Sequence, residues 1–168
     1  MLSLVKMQQE YQPLLDDMMC EWQTSDPAGI PLVLQNYDYE NPNKWLSQLE
    51  YTYIGREQIP CTTFFLFDDE KSRFLGVACI RHHLNRTLLH GYGHIGEGIR
   101  PSARGQGYGT KLIALAIAEC RKMGIDDILL CCVEENIASA RTFEKNGAVL
   151  ENIVLDDGLV ICRYWVKK

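Results

Sequence analysis

The chain has no basic stretch longer than two adjacent residues, no apolar run long enough to span a bilayer and no Cys-x-x-Cys pair. Each absence removes a class of function. With no basic patch and a formal net charge of −5, nucleic acid is not expected as the main partner, because phosphate backbones are held by clustered Lys and Arg. A mildly acidic chain suits a cationic partner such as an amine instead. No membrane span is expected, and the start, Met1-Leu-Ser-Leu-Val-Lys6, lacks the long apolar core of a secretory signal. The seven cysteines, at 20, 61, 79, 120, 131, 132 and 162, are odd in number and mostly lie within apolar stretches. They read as reduced core residues of a cytoplasmic protein. No metal is expected: His82 and His83 are neighbours, and neighbours on a strand point to opposite faces. There is no internal repeat or low-complexity tract.

What is present is an ordinary globular composition, 46% hydrophobic and 23% charged. It suits a single domain over residues 1–168, large enough to bury its own core. Met1–Met7 reads as a short edge strand. Leu14, Leu15, Met18, Met19 and Trp22 recur at three- and four-residue spacing, one face of a helix that stops before Asp26-Pro27-Ala28-Gly29. A second helix is expected over Asn43–Tyr53. Cys61–Phe67 and Phe74–Arg81 form a hairpin across the polar turn Asp68–Ser72. Tyr92–Arg100 is the next strand. Leu112, Ile113, Ala116, Ile117, Cys120 and Met123 then share one helical arc, closed by Gly124. Ile128–Val133 is apolar on both faces, as a central strand would be. Asn136 caps a short helix ended by Asn146-Gly147, and Val149–Leu155 with Leu159–Val166 makes a terminal hairpin around Asp157-Gly158.

The most informative stretch is His94–Lys111, a strand, a Pro-Ser turn and a glycine-punctuated loop that opens a helix. Gly105, Gly107 and Gly109 alternate, so side chains leave the loop's N–H groups uncovered. Unpaired donors at a helix N-terminus, with the positive end of the helix dipole, make an anion site over Arg104–Thr110. The P-loop pattern does not fit the spacing before Thr110-Lys111, and Thr110 stands where a dinucleotide fingerprint needs its third glycine.

Arg104-x-x-Gly107-x-Gly109 resembles the Arg/Gln-x-x-Gly-x-Gly/Ala signature of the GNAT N-acetyltransferase family. The resemblance covers about Phe64–Val166 and is strongest over His94–Gly147; residues 1–60 match only in layout, as the acceptor-side part, with 61–168 as the cofactor-binding core. It implies an α/β fold: a mixed, largely antiparallel sheet of about seven strands, a central parallel splayed pair (Tyr92–Arg100 and Ile128–Val133), and about four flanking helices. It implies acetyl-CoA as cosubstrate. The pantetheine arm would run along the main chain at Ile99 and Arg100, and the pyrophosphate would sit on Arg104, Gly105, Gln106, Gly107, Tyr108, Gly109 and Thr110. Asn136, which opens Asn-x-x-Ser139-Ala, resembles the family's asparagine beside the cofactor and serves equally as a plain N-cap.

The implied reaction is direct attack of a neutral primary amine on the thioester carbonyl, which needs a proton acceptor for the amine. Glu97, a carboxylate between glycines on the strand before the loop, is the preferred base, and His94 is the second candidate. Phe143 stands where the family commonly places a tyrosine that protonates the leaving thiolate. Ser139, Tyr108, Tyr92 or water would have to replace it. The competing reading is an acyl-CoA-binding module or sensor with little catalysis. The acceptor, a small-molecule amine or a peptide amino group, would be framed by Trp22–Tyr53, Arg81–Asn85 and the terminal hairpin, with Tyr37, Tyr39, Trp45, Tyr51 and Tyr53 as candidate lining. A homodimer stays open.

Overall fold

Strand β3 (Glu57–Asp68) is the axis of the first half, because its alternating apolar residues serve two layers at once. In the computed structural model, which describes residues 1–35, 41, 46–54 and 57–168, β1 (Leu2–Lys6) pairs with one end of β3 and β2 (Tyr51–Ile54) with the other. On its opposite edge β3 pairs with β4 (Arg73–Arg81), which pairs with β5 (Ile95–Ile99). The second half of the sheet has the order β6 (Ile128–Val133), β8 (Leu159–Val166), β7 (Val149–Asp156). These ladders are all antiparallel. Helix α1 (Gln12–Ser25) covers one face, and α2 (Tyr108–Lys122) the other, with α3 (Ile137–Lys145) beside it.

The helix spacings read from the sequence explain this layering. Leu15, Met18, Met19 and Trp22 of α1 are fully buried against Phe65, Phe74 and Val77. Leu112, Ile113, Ala116 and Cys120 of α2 are fully buried against Leu66, Leu75, Ile80, Ile128 and Leu130. Burial of each Leu, Ile, Met or Phe among them contributes about 1.5–3 kcal/mol. None of the seven cysteines is bonded to another; Cys20 on α1 is exposed, Cys131 half-buried and the rest buried. Among the described residues no helix is long and apolar enough to cross a membrane.

Two expected elements need correction. Residues 46–48 are helical, but Tyr51–Ile54 form strand β2 rather than the end of a helix; Asn43–Trp45 lie outside the described residues, as do Tyr37 and Tyr39. The free edge of β3 captures this segment: Cys61 N–H donates to Glu50 O at 2.8 Å, and Tyr51 and Tyr53 then face out while Thr52 and Ile54 face in. The strand before the loop is also shorter than expected. Leu88–Tyr92 winds as a π-helix, and Gly93 turns the chain with φ +69°. Any side chain at Gly93 would lie 2.5 Å from Leu129 O, so glycine is required. The buried Arg81 guanidinium donates to Tyr92 O and Gly93 O at 3.2 and 3.0 Å, holding the end of the π-helix against the end of β4.

The two halves of the sheet touch where β5 and β6 begin. His94 N–H donates to Leu129 O at 2.8 Å, Leu129 N–H donates to His94 Nδ1 at 3.0 Å, and Gly93 bridges Leu130. Beyond that knot the two strands separate, and a cleft opens between the far end of β5 and the start of α3. The two strands splay as the resemblance implies, but among the described residues no parallel ladder joins them and the bridge from Gly93 to Leu130 is antiparallel.

Candidate active site

The loop after β5 begins with the turn Pro101–Ala103 and reaches α2 through Gly105 and Gly107, at φ +74° and +84°. Both are left-handed conformations that glycine adopts without cost. Helix α2 starts at Tyr108 with no side-chain cap, and its first main-chain bond is Lys111 N–H to Gly107 O at 3.2 Å. Among the described residues no protein acceptor meets the N–H groups of Gly105 through Thr110. Open N–H groups at the positive end of a helix dipole can hold a phosphate-bearing group.

Gly105, Gly107, Gly109 and Thr110 edge a cavity of about 570 Å³ between β5, the loop and α3. Of the residues singled out in the sequence, Glu97, Ile99, Arg104, Gly105, Gly107, Gly109, Thr110, Asn136 and Ser139 line it. Four others do not. His94 is knotted to Leu129; Gln106 turns its amide to Ser102 O at 2.9 Å; Tyr108 packs against the main core. Arg100 gives its N–H to Leu75 O at 2.9 Å and points its guanidinium the other way, to Asp17 at 2.8 Å, Glu21, and Phe74 O at 3.1 Å. Asn136 takes both expected places: it lines the cavity while its side chain accepts from Ser139 N–H at 3.1 Å as the N-cap of α3.

Glu97 sits between Gly96 and Gly98 because the other face of β5 is crowded. A Cβ at Gly96 would lie 2.9 Å from Arg81 Nη2, and one at Gly98 would lie 2.4 Å from Pro31 Cγ. The Glu97 side chain takes the cavity face, half-buried, where its Oε1 accepts from Ser139 Oγ at 3.1 Å. Burial raises its pKa above the ordinary 4.5, and the Ser139 hydrogen bond and the Arg104 charge oppose that only in part. His94 shifts the opposite way. Burial, with the nearby Arg81 charge, lowers it to about 4. Its Nδ1 accepts from the main chain, so the neutral ring carries its proton on Nε2. The result is a carboxyl with a raised proton affinity inside the cavity and a neutral histidine outside it.

Phe143 is 2% exposed and meets Tyr164 edge to face, with ring centroids 5.8 Å apart. It belongs to the core, so no acid stands at that position. Tyr92 is exposed outside the cavity, which leaves Ser139 as the one suggested replacement whose side chain lies in it. Sequence reading missed Asp26, Arg141, Thr142 and Lys145, all of which line the cavity. Asp26 accepts from Arg104 Nη1 at 2.7 Å, while Arg104 Nε donates to Ile99 O at 2.9 Å. On α3 the spacing 138, 141, 142, 145 is that of one helical face, and it was the available signal.

Residues 11–148 match the acetyltransferase (GNAT) family. No curated protein matches the chain in sequence. Among solved structures, a microcin C7 self-immunity acetyltransferase in complex with acetyl-CoA and AMP aligns with TM-score 0.71 at 14% identity, covering 99% of this chain and 92% of its own. A ribosomal L7/L12 α-N-protein acetyltransferase in complex with coenzyme A aligns with TM-score 0.70 at 15% identity, covering 99% and 93%. The spermidine/spermine N-acetyltransferase of Vibrio cholerae aligns with TM-score 0.63 at 15% identity, covering 99% and 94%.

Proposed function

This chain belongs to the acetyltransferase (GNAT) family, and from that membership we propose that it moves an acetyl group from acetyl-CoA to a primary amine by direct attack. The carrying observation is the Ser139–Glu97 hydrogen bond of 3.1 Å in the same cavity that is edged by the open N–H groups of Gly105, Gly107, Gly109 and Thr110. One end suits an anion and the other suits proton transfer. Acetyl-CoA supplies an activated thioester carbonyl; the remaining work falls to residues of this chain.

The N–H groups of Gly105–Thr110 hold the diphosphate, and Arg104 adds a cation beside them. Glu97 takes the proton of the incoming ammonium, directly or through one water, and its raised proton affinity favours that step at neutral pH. As the carbon–sulfur bond breaks, the Ser139 hydroxyl turns to the departing sulfur and gives it a proton. Glu97 then returns the proton it took to Ser139. The nitrogen, positively charged once it has attacked, loses its second proton to water, so of the two protons that leave the ammonium one reaches the sulfur and one the solvent, with both side chains restored. The seven unpaired cysteines support a reducing, cytoplasmic setting.

Acetyl-CoA consumption against an amine panel tests this reading. Polyamines and peptide N-termini open the panel, since two structures of similar fold act on such acceptors by name. Amine-dependent release of coenzyme A supports the proposal. Tight acetyl-CoA binding with no turnover on any amine would favour the binding module, and a larger thermal shift with ATP than with acetyl-CoA would overturn the loop assignment.

A further inference from the structure

Two cations in the cavity have no part in the chemistry above. Arg141 and Lys145 stand four residues apart on α3, so they project from one face a single turn apart. Both line the cavity, both are exposed, and among the described residues neither forms an ion pair. Arg104, the third cation of the cavity, is already matched by Asp26 at 2.7 Å. In a chain with a net charge of −5 this leaves an unneutralised positive spot at one end of the cavity.

Its place along the cavity is fixed by other contacts. Ser139 meets Glu97 at the reacting end, and Thr142 Oγ1 lies 3.6 Å from where a Cβ of Gly109 would stand. Lys145 lies six residues beyond Ser139, about 9 Å farther along the helix. The neighbouring Asn146 donates to Thr110 O at 3.2 Å and to Thr142 O at 2.9 Å, which pins this end of α3 beside the phosphate-binding start of α2. The two cations therefore lie next to the diphosphate seat, on its side away from the reacting carboxyl. A ligand that fills the loop with a diphosphate and carries one more phosphate outward would bring it to them.

We infer that Arg141 and Lys145 bind the phosphomonoester on the ribose of coenzyme A and make the protein select coenzyme A over its dephospho form. This rests on the acetyl-CoA reading and adds a recognition element to it. The loop donors bind a group that the two forms share, so they cannot tell them apart. An exposed dianion facing two cations can, because each such contact survives solvent screening at a fraction of its buried strength.

Calorimetric titration of coenzyme A and of dephospho-coenzyme A into the parent and into Arg141→Gln/Lys145→Gln decides the matter. In the parent, coenzyme A should bind about tenfold more tightly, two modest charge contacts taken together. In the double variant that ratio should fall to near one while dephospho-coenzyme A binds as it does to the parent, which also reports an intact fold. Gly107→Val should weaken both ligands by the same factor and keep the ratio. Equal binding of the two ligands by the parent, or a ratio that survives the double substitution, would overturn the inference. If neither ligand binds the parent, the acetyl-CoA reading itself is what fails.

Discussion

The residue that leads into β5 and the one at its middle are treated in opposite ways. At the first, His94 is closed in: it is 7% exposed, tied to Leu129 by two hydrogen bonds and neutral. Three residues later Glu97 faces a cavity, is touched by one hydroxyl, and has its proton affinity raised. The knot at His94 holds β5 to β6, and its absence at Glu97 is the space in which a reaction can occur. Arg100, just past the end of the strand, completes the clamp from the other side through Asp17 and Glu21. Rigid anchors on both sides of an open carboxyl are what a positioned base requires.

Four measurements would break or sharpen this contrast. The largest effect is expected for Glu97→Gln. Turnover should fall at least ~100-fold, the usual worth of a positioned base, while the melting midpoint holds or rises because a half-buried carboxyl is removed. Unchanged turnover would pass the role to bulk water. Next, Arg100→Met should cost about 3 kcal/mol in denaturant unfolding, the low end for breaking a buried ion pair, because Asp17 stays solvated and Glu21 keeps its bonds to Ser102. A cost near zero would mean that the clamp is ornamental.

The third concerns pH. The folded pKa of His94 is depressed to about 4 from 6.5, so between those values the unfolded chain binds a proton that the native chain refuses. Stability is then lost as pH falls through that window, on the order of 2–3 kcal/mol. Unfolding measured from pH 7 to 4 should show the parent's advantage over His94→Gln shrinking as pH drops; a constant gap would remove histidine from the account. The smallest effect is expected for Ser139→Ala, about tenfold in turnover, less than the usual worth of a positioned acid because a thiolate leaves readily without one. Removing the hydroxyl also removes a bond that lowers the Glu97 pKa. The rise of activity with pH should therefore shift to higher pH, and an unmoved limb would separate Ser139 from Glu97.

How much of this was legible in the sequence depended on how local each feature is. The glycine alternation, the helix faces of α1 and α2, the apolar run of β6 and the hairpin β7–β8 are set by neighbouring residues, and the structure has them where the patterns put them. Tyr51–Ile54 was not legible, because four residues satisfy either a helical or a strand pattern and a distant partner, β3, decides. The same holds for the site. Glu97 and Ser139 could each be nominated, but only the fold brings them within 3.1 Å across 42 positions of sequence. Asp26 looked like a helix stop and meets Arg104 across 78 positions.

The cysteine pattern has a practical consequence. Six of the seven thiols are sheltered, and burial drives Cys120, Cys131 and Cys132 up to about 12, so a thiol-reactive dye has one open address, Cys20. The next residue, Glu21, accepts from Ser102 N–H at 2.6 Å in the turn between β5 and the loop. A fluorophore attached to the natural sequence would thus stand on the solvent side of the helix whose next residue reaches into that turn, without a cysteine being added or removed.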